Sequence, residues 1–149
     1  MITRYLIFIL ISLVILFKTG WQLPLCNFKT AKQALVPRIF AETTIDGPNQ
    51  PVLLTRFLHN KLGIFINESA RCYFNVLDLN FVESSTTLIG LLFWLYFIYQ
   101  ITIRKYWVLI VVFLITPIVS YLTVLSALAA IVHKIFAIIG LAWYLKISK

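Results

Sequence analysis

The stretch that decides the fold is "TTLIGLLFWLYFIYQITIRKYWVLIVVFLITPIVSYLTVLSALAAIVHKIFAIIGLAWYLKI", residues 86–147. Its first charges are the adjacent pair Arg104 and Lys105. A helix that crosses a bilayer needs about 20 mostly apolar residues, and this stretch has room for three such helices. We therefore predict transmembrane helices over residues 86–103, 106–125 and 126–147, with the last two joined as a tight hairpin.

A further apolar run, "YLIFILISLVILF", covers residues 5–17 between Arg4 and Lys18. Long basic side chains at both ends can reach the membrane surface, so even this short run can cross the bilayer. The residues after Lys18 offer no small-residue cleavage site of the kind that follows a removed signal peptide. We predict an uncleaved transmembrane signal anchor over residues 1–18, which makes four crossings.

The composition supports this class of protein, because 61% of the residues are hydrophobic and only 12% are charged. A soluble domain is usually about 45–50% apolar and about one quarter charged. The sequence thus predicts an all-α integral membrane protein whose first partner is the lipid bilayer. The net charge of +8 does not indicate nucleic-acid binding, because the basic residues form no stripe with interleaved aromatic residues.

The segment 19–85 differs from the rest, since it holds all five acidic residues and both cysteines. Apolar residues in steps of three and four predict a long amphipathic helix over residues 51–77, lying flat on the membrane surface or against the tops of the crossings. A shorter helix is expected from Thr30 to a stop near Pro37. The segment therefore reads as a small extracytoplasmic helical domain.

The basic residues near the ends of the predicted crossings set the orientation. In a four-crossing arrangement they fall on one side of the membrane: Arg4, Arg104, Lys105, Lys146 and Lys149. Because such residues favour the cytoplasmic side, we predict a plasma-membrane protein with both termini in the cytoplasm and residues 19–85 outside.

Cys26 and Cys72 are 46 positions apart, and both lie in the predicted extracytoplasmic segment. Disulfides persist in that compartment, so a structural bridge is favoured. It would stabilise the folded segment by about 3–4 kcal/mol. A thiol-redox site is less favoured because the chain has no C-x-x-C motif, and two free thiols remain an open alternative.

Two further groups of polar residues could bind ligands. His133 and Lys134 fall inside the last predicted crossing, where a charge marks a proton relay or a site for a lipid phosphate, unless the lysine extends along the hairpin to the surface. Four residues of the long helix could contact lipid headgroups, although an ordinary exposed face has the same pattern: Arg56, His59, Lys61 and Arg71.

No pattern of catalytic residues is found. The sequence has no HExxH, GxSxG, P-loop or GxGxxG motif and no Cys/His cluster, and its acidic residues are scattered. We predict no catalytic residue, no metal and no cofactor, and we favour a protein that is not an enzyme.

One segment resembles a family of membrane enzymes. Over residues 51–117, the sequence is similar to part of the membrane glycosyltransferases of the dolichyl-phosphate-mannose protein mannosyltransferase type. The matching positions are Asn60-Lys61, Tyr73-Phe74, Leu79 to Val82 and Gly90-Leu91-Leu92. The resemblance implies an amphipathic helix beside a lipid-linked sugar, and no catalytic residue is carried over because the family's acidic residues have no counterpart here.

Three functions follow as hypotheses. The first is a non-enzymatic accessory or assembly subunit of a cell-envelope complex, with a membrane-protein partner. The second is a divergent or truncated lipid-linked-sugar glycosyltransferase-like protein. The third is a small channel or carrier built around Lys134.

Overall fold

A computed structural model describes residues 2–18, 28–46, 61–123 and 126–146, which form seven helices and no strand. The helices are α1 (Ile2–Leu16), α2 (Phe28–Asp46), α3 (Lys61–Leu77), α4 (Leu79–Thr86), α5 (Leu88–Ile103), α6 (Trp107–Thr123) and α7 (Ser126–Tyr144). The predicted all-α class is confirmed for this part of the chain.

The apolar helices differ in length. Within the described residues, α7 alone is long and apolar enough to cross a membrane, over Ala127–Tyr144. Helices α1, α5 and α6 are also apolar but have 15, 16 and 17 residues. At 1.5 Å per residue they measure about 22–26 Å, against about 30 Å for the hydrocarbon core of a bilayer. One helix therefore could span a membrane by length and composition, and the four crossings stay a prediction.

The core forms where α5 packs against α7. The Phe97 ring stacks on Phe136 and on Trp143, with ring centroids 4.6 and 5.4 Å apart. Gly140 makes this approach possible, because a Cβ atom there would collide with the backbone carbonyl of Phe93. Small residues let apolar helices approach closely enough for extensive van der Waals contact, and Gly140 has that role here.

Ring contacts fix the directions of the helices. Tyr106, just beyond the end of α5, packs against Trp143 near the end of α7, so α5 and α7 end on the same side and run parallel. Phe113 in the middle of α6 meets Phe136, so α6 returns antiparallel to α7. The carboxyl end of α1 lies beside the start of α5, where Ile15 lies against Gly90.

Helix α3 runs lengthwise along α6. Ser69 shares a hydrogen bond of 2.8 Å with the Tyr121 hydroxyl, and the Tyr73 hydroxyl donates to the Leu114 carbonyl at 3.1 Å. The two helices are therefore antiparallel neighbours. The predicted long helix is seen only from Lys61 onwards, because residues 51–60 lie outside the described part. The side of α6 covers part of the apolar surface of α3, and the expectation that this helix lies flat on the membrane surface or against the tops of the crossings stays a prediction.

The predicted stop near Pro37 is also wrong, because α2 continues through this proline to Asp46. A proline inside a helix removes one backbone hydrogen bond and crowds the preceding turn. The Pro37 side chain is exposed, and Arg38 beside it forms an ion pair with Glu68 of α3. This contact holds the second half of α2 against α3.

Thr87 separates α4 from α5 with a backbone φ of 89° and ψ of 163°. A β-branched residue is strained in that region. The Thr87 side chain caps α5 by accepting a hydrogen bond of 3.2 Å from the Gly90 amide. Helix α4 itself was not predicted as a separate element, and Asp78 caps its first turn.

Candidate functional site

Two adjacent polar residues, His133 and Lys134, lie in the middle of α7 and are both buried. We call them the polar centre. Each of them contacts the backbone of another helix at the place where that helix ends. The polar centre is therefore a junction of helix ends within the bundle.

Lys134 caps the carboxyl end of α1. Its ammonium group donates hydrogen bonds of 2.9 Å to the carbonyl of Leu16 and 2.9 Å to that of Lys18. The last carbonyls of a helix lack partners within the helix and carry partial negative charge, which a cation neutralises. Lys134 is only 4% exposed, so the expectation that its stem reaches the surface is wrong. A relay or lipid-phosphate role stays a prediction.

His133 joins α7 to the last turn of α3. The Trp94 indole N–H donates to His133 Nδ1 at 3.0 Å, and His133 Nε2 lies 2.9 Å from the Val76 carbonyl. An indole N–H can only donate and a carbonyl can only accept, so Nε2 carries the proton and Nδ1 carries none. The geometry fixes the neutral tautomer, with both ring nitrogens in hydrogen bonds.

The carboxyl ends of two helices meet at the polar centre. Helix α3 runs antiparallel to α6 and hence in the direction of α7, and α1 ends at the Lys134 ammonium group. Each carboxyl end carries a partial charge of about −0.5. An ammonium group and an imidazole N–H on neighbouring residues contact these two ends, so Lys134 caps α1 and His133 caps α3.

A second buried polar group was missed in the sequence. The Glu68 carboxylate, with its side chain 2% exposed, pairs with Arg38 of α2 and with Arg71 at 2.9 Å. The one local signal for it was the i,i+3 spacing of Glu68 and Arg71, which are neighbours on a helix surface. Arg71, predicted to contact lipid headgroups, here neutralises a buried carboxylate, and its side chain remains more than half exposed.

The other predicted site residues are only partly described. Arg56, His59 and Cys26 lie outside the described residues, and Lys61 begins α3 with a side chain that is not described. Cys72 lies in α3 and is buried. No free thiol occurs in the described part of the chain. The bridge between Cys26 and Cys72 stays a prediction.

An open groove lies between α3 and α6, with a volume of about 430 Å³. We call it the α3–α6 groove. Its lining is almost wholly apolar: Phe65, Ile66, Ser69, Ala70, Tyr73, Phe74, Pro117, Ile118 and Tyr121. The hydroxyl groups of Ser69, Tyr73 and Tyr121 are all engaged in hydrogen bonds, so the groove suits an apolar ligand.

No cluster of three or more metal-binding side chains occurs within residues 2–18, 28–46, 61–123 and 126–146. The chain matches no family of proteins, no curated protein and no solved structure. The resemblance to protein mannosyltransferases therefore stays a prediction.

Proposed function

We propose that the protein is a multi-pass membrane protein in which α1, α5, α6 and α7 all cross the bilayer. Their outward faces are almost entirely apolar, and residues such as Ile2 and Val108 are 83% and 77% exposed. Soluble monomers rarely expose continuous apolar patches above a few hundred Å². Helices of 15–17 residues would cross with slight local thinning of the bilayer and with basic side chains extending from their ends.

The alternating helix directions support the same arrangement. Helices α5 and α7 run one way and α6 runs the other, as three successive crossings require. The α5–α6 turn carries Arg104 and Lys105, and it lies on the same side as Lys146, just beyond the end of α7. The positive-inside rule then favours a cytoplasmic location for this side.

Within that membrane protein we favour an accessory or assembly subunit over an enzyme. The observation that carries this choice is the sparse packing of α1, which buries only Ser12 and Ile15 among its 15 residues. Three buried ionisable side chains are engaged in structural contacts: His133 and Lys134 cap helices, and Glu68 pairs with two arginines. A helix that contributes so little to its own bundle has most of its surface available to a neighbouring transmembrane helix.

The test is the stoichiometry of the purified protein. Extracted in a mild neutral detergent, the chain should elute with one other membrane protein in a fixed ratio, as measured by light scattering and mass spectrometry. Leu6→Trp on the exposed face of α1 should release that protein, whereas Leu92→Trp on the exposed face of α5 should not. A lone chain that supports the cellular phenotype in full would refute the proposal.

The other two functions remain hypotheses with their own tests. A glycosyltransferase-like role depends on Arg56 and His59 and would require binding of polyprenyl-phosphate sugars that alanine substitutions weaken. A channel or carrier would depend on Lys134, whose ammonium group binds the end of α1. Unchanged flux in liposomes carrying Lys134→Met would refute the channel or carrier hypothesis.

A further inference from the structure

The α3–α6 groove has the size of a ligand site. From Phe65 to Phe74 it follows ten residues of α3, about 13 Å along the helix axis. Its volume of about 430 Å³ falls in the range of about 300–1,000 Å³ that is typical of ligand pockets. Aliphatic and aromatic side chains line it along its whole length, as an acyl chain would require.

One end of the groove has a basic rim. Phe28, the first residue of α2, packs edge-on against Phe65 and Tyr121, with ring centroids 5.7 and 6.2 Å apart. Lys29 follows Phe28 directly, and Lys32 lies one turn further along α2; both side chains are exposed. Glu68, the buried acid of α3, already pairs with two arginines. Lys29 and Lys32 therefore supply exposed basic side chains close in sequence to the Phe28 contact.

The position of the groove matches the depth profile of a lipid. Tyr121 lies near the end of α6, whereas Pro117 lies closer to the middle of that helix. If α6 crosses the bilayer, as the proposed function requires, the end at Tyr121 lies towards the membrane surface. The groove then runs inwards from the depth of lipid phosphates, parallel to acyl chains.

We propose that the α3–α6 groove binds one anionic phospholipid, with an acyl chain against Tyr73 and Pro117 and the phosphate at Lys29 and Lys32. This inference rests on the proposed function, because the groove faces lipid only if α6 crosses the membrane. The charge complementarity is direct: a basic residue near the membrane surface strengthens binding to an anionic headgroup by about fivefold. The two lysines together should favour an anionic headgroup over a neutral one by roughly thirtyfold.

The experiment uses the full chain, purified in a neutral detergent and stripped of lipid. Native mass spectrometry measures the binding of phosphatidylglycerol and of phosphatidylcholine with identical acyl chains. The unaltered protein should prefer phosphatidylglycerol by roughly thirtyfold, and the pair Lys29→Gln and Lys32→Gln should bring the two affinities together. Arg4→Gln, an exposed basic residue of α1, which does not line the groove, is the matched control and should leave the preference unchanged.

Groove-filling variants test the acyl-chain part of the site. Ala70→Phe on α3 and Ile118→Trp on α6 each place a larger side chain in the groove, and both should weaken phosphatidylglycerol and phosphatidylcholine alike. A melting temperature measured for each variant identifies any that fails to fold. Equal affinity of the unaltered protein for the two lipids, or unchanged binding in a folded groove-filling variant, would overturn the proposal. Such a failure leaves the proposed function standing, because membrane insertion and partner stoichiometry are measured separately.

Discussion

Replacing Lys134 by methionine should release α1 from the bundle. The lysine donates two charge-assisted hydrogen bonds of 2.9 Å to carbonyls at the end of α1. Such bonds contribute about 1.5–3 kcal/mol each, and burial of the ammonium group offsets several kcal/mol of that gain. A net loss of about 2 kcal/mol is expected, because methionine keeps the volume but removes both hydrogen bonds. Helix α1 buries only Ser12 and Ile15, so other contacts compensate little.

The assay reads the docking of α1 directly. Ser12→Cys places a thiol at a position that is 9% exposed when α1 is docked, and a neutral maleimide reports how often this position opens. A loss of 2 kcal/mol corresponds to roughly a thirtyfold rise in the open population and in the labelling rate. Lys105→Met, in the exposed turn between α5 and α6, is the control and should leave the rate unchanged. Equal labelling with and without Lys134 would refute the assignment of this residue as the cap of α1.

Three further predictions concern backbone geometry and the cysteines. Gly140→Ala should destabilise the protein by about 1–3 kcal/mol in thermal unfolding, because α5 and α7 must move apart to make room for the added methyl group. Gly63 has open space around it, so Gly63→Ala should instead stabilise α3 by up to about 1 kcal/mol. Thr87→Gly should raise stability by about 1 kcal/mol, since relief of the strained φ of 89° outweighs the lost cap; a lower melting temperature would contradict this. Alkylation should label neither Cys26 nor Cys72 until a reductant is supplied, as measured by intact mass. Labelling of both cysteines without reductant would refute the predicted disulfide.

The helices were predictable because their signal is local. The apolar run at the carboxyl end predicted α6 as residues 106–125 and α7 as residues 126–147, close to the observed Trp107–Thr123 and Ser126–Tyr144. Hydrophobic composition over about 20 residues specifies such helices without reference to their neighbours. The stop predicted at Pro37 failed because the packing of α2 against α3 overrode the local preference of a proline.

The partners of the polar residues could not be predicted, since they are distant in sequence. His133 pairs with Trp94, 39 positions earlier, and with the carbonyl of Val76, 57 positions earlier. Lys134 binds carbonyls more than a hundred positions away. The sequence marked both residues as unusual in an apolar helix, but their contacts depend on which helices end beside α7.

The same limit explains the orientation of α3. Its apolar stripe required a covering surface, and a membrane surface or the side of a neighbouring helix satisfies the periodicity equally well. The hydrogen bonds from Ser69 and Tyr73 show that α6 is one neighbour of this stripe, and such tertiary contacts cannot be read from the periodicity.

The proposed membrane crossings are tested most directly by labelling single cysteines in intact cells with a membrane-impermeant maleimide. Gln33→Cys on α2 and Lys105→Cys in the α5–α6 turn both place a thiol at an exposed position. If α5 crosses the membrane with the basic turn inside, position 33 should react in intact cells and position 105 only after permeabilisation. Reaction of both positions in intact cells, or of position 105 alone, would contradict the arrangement.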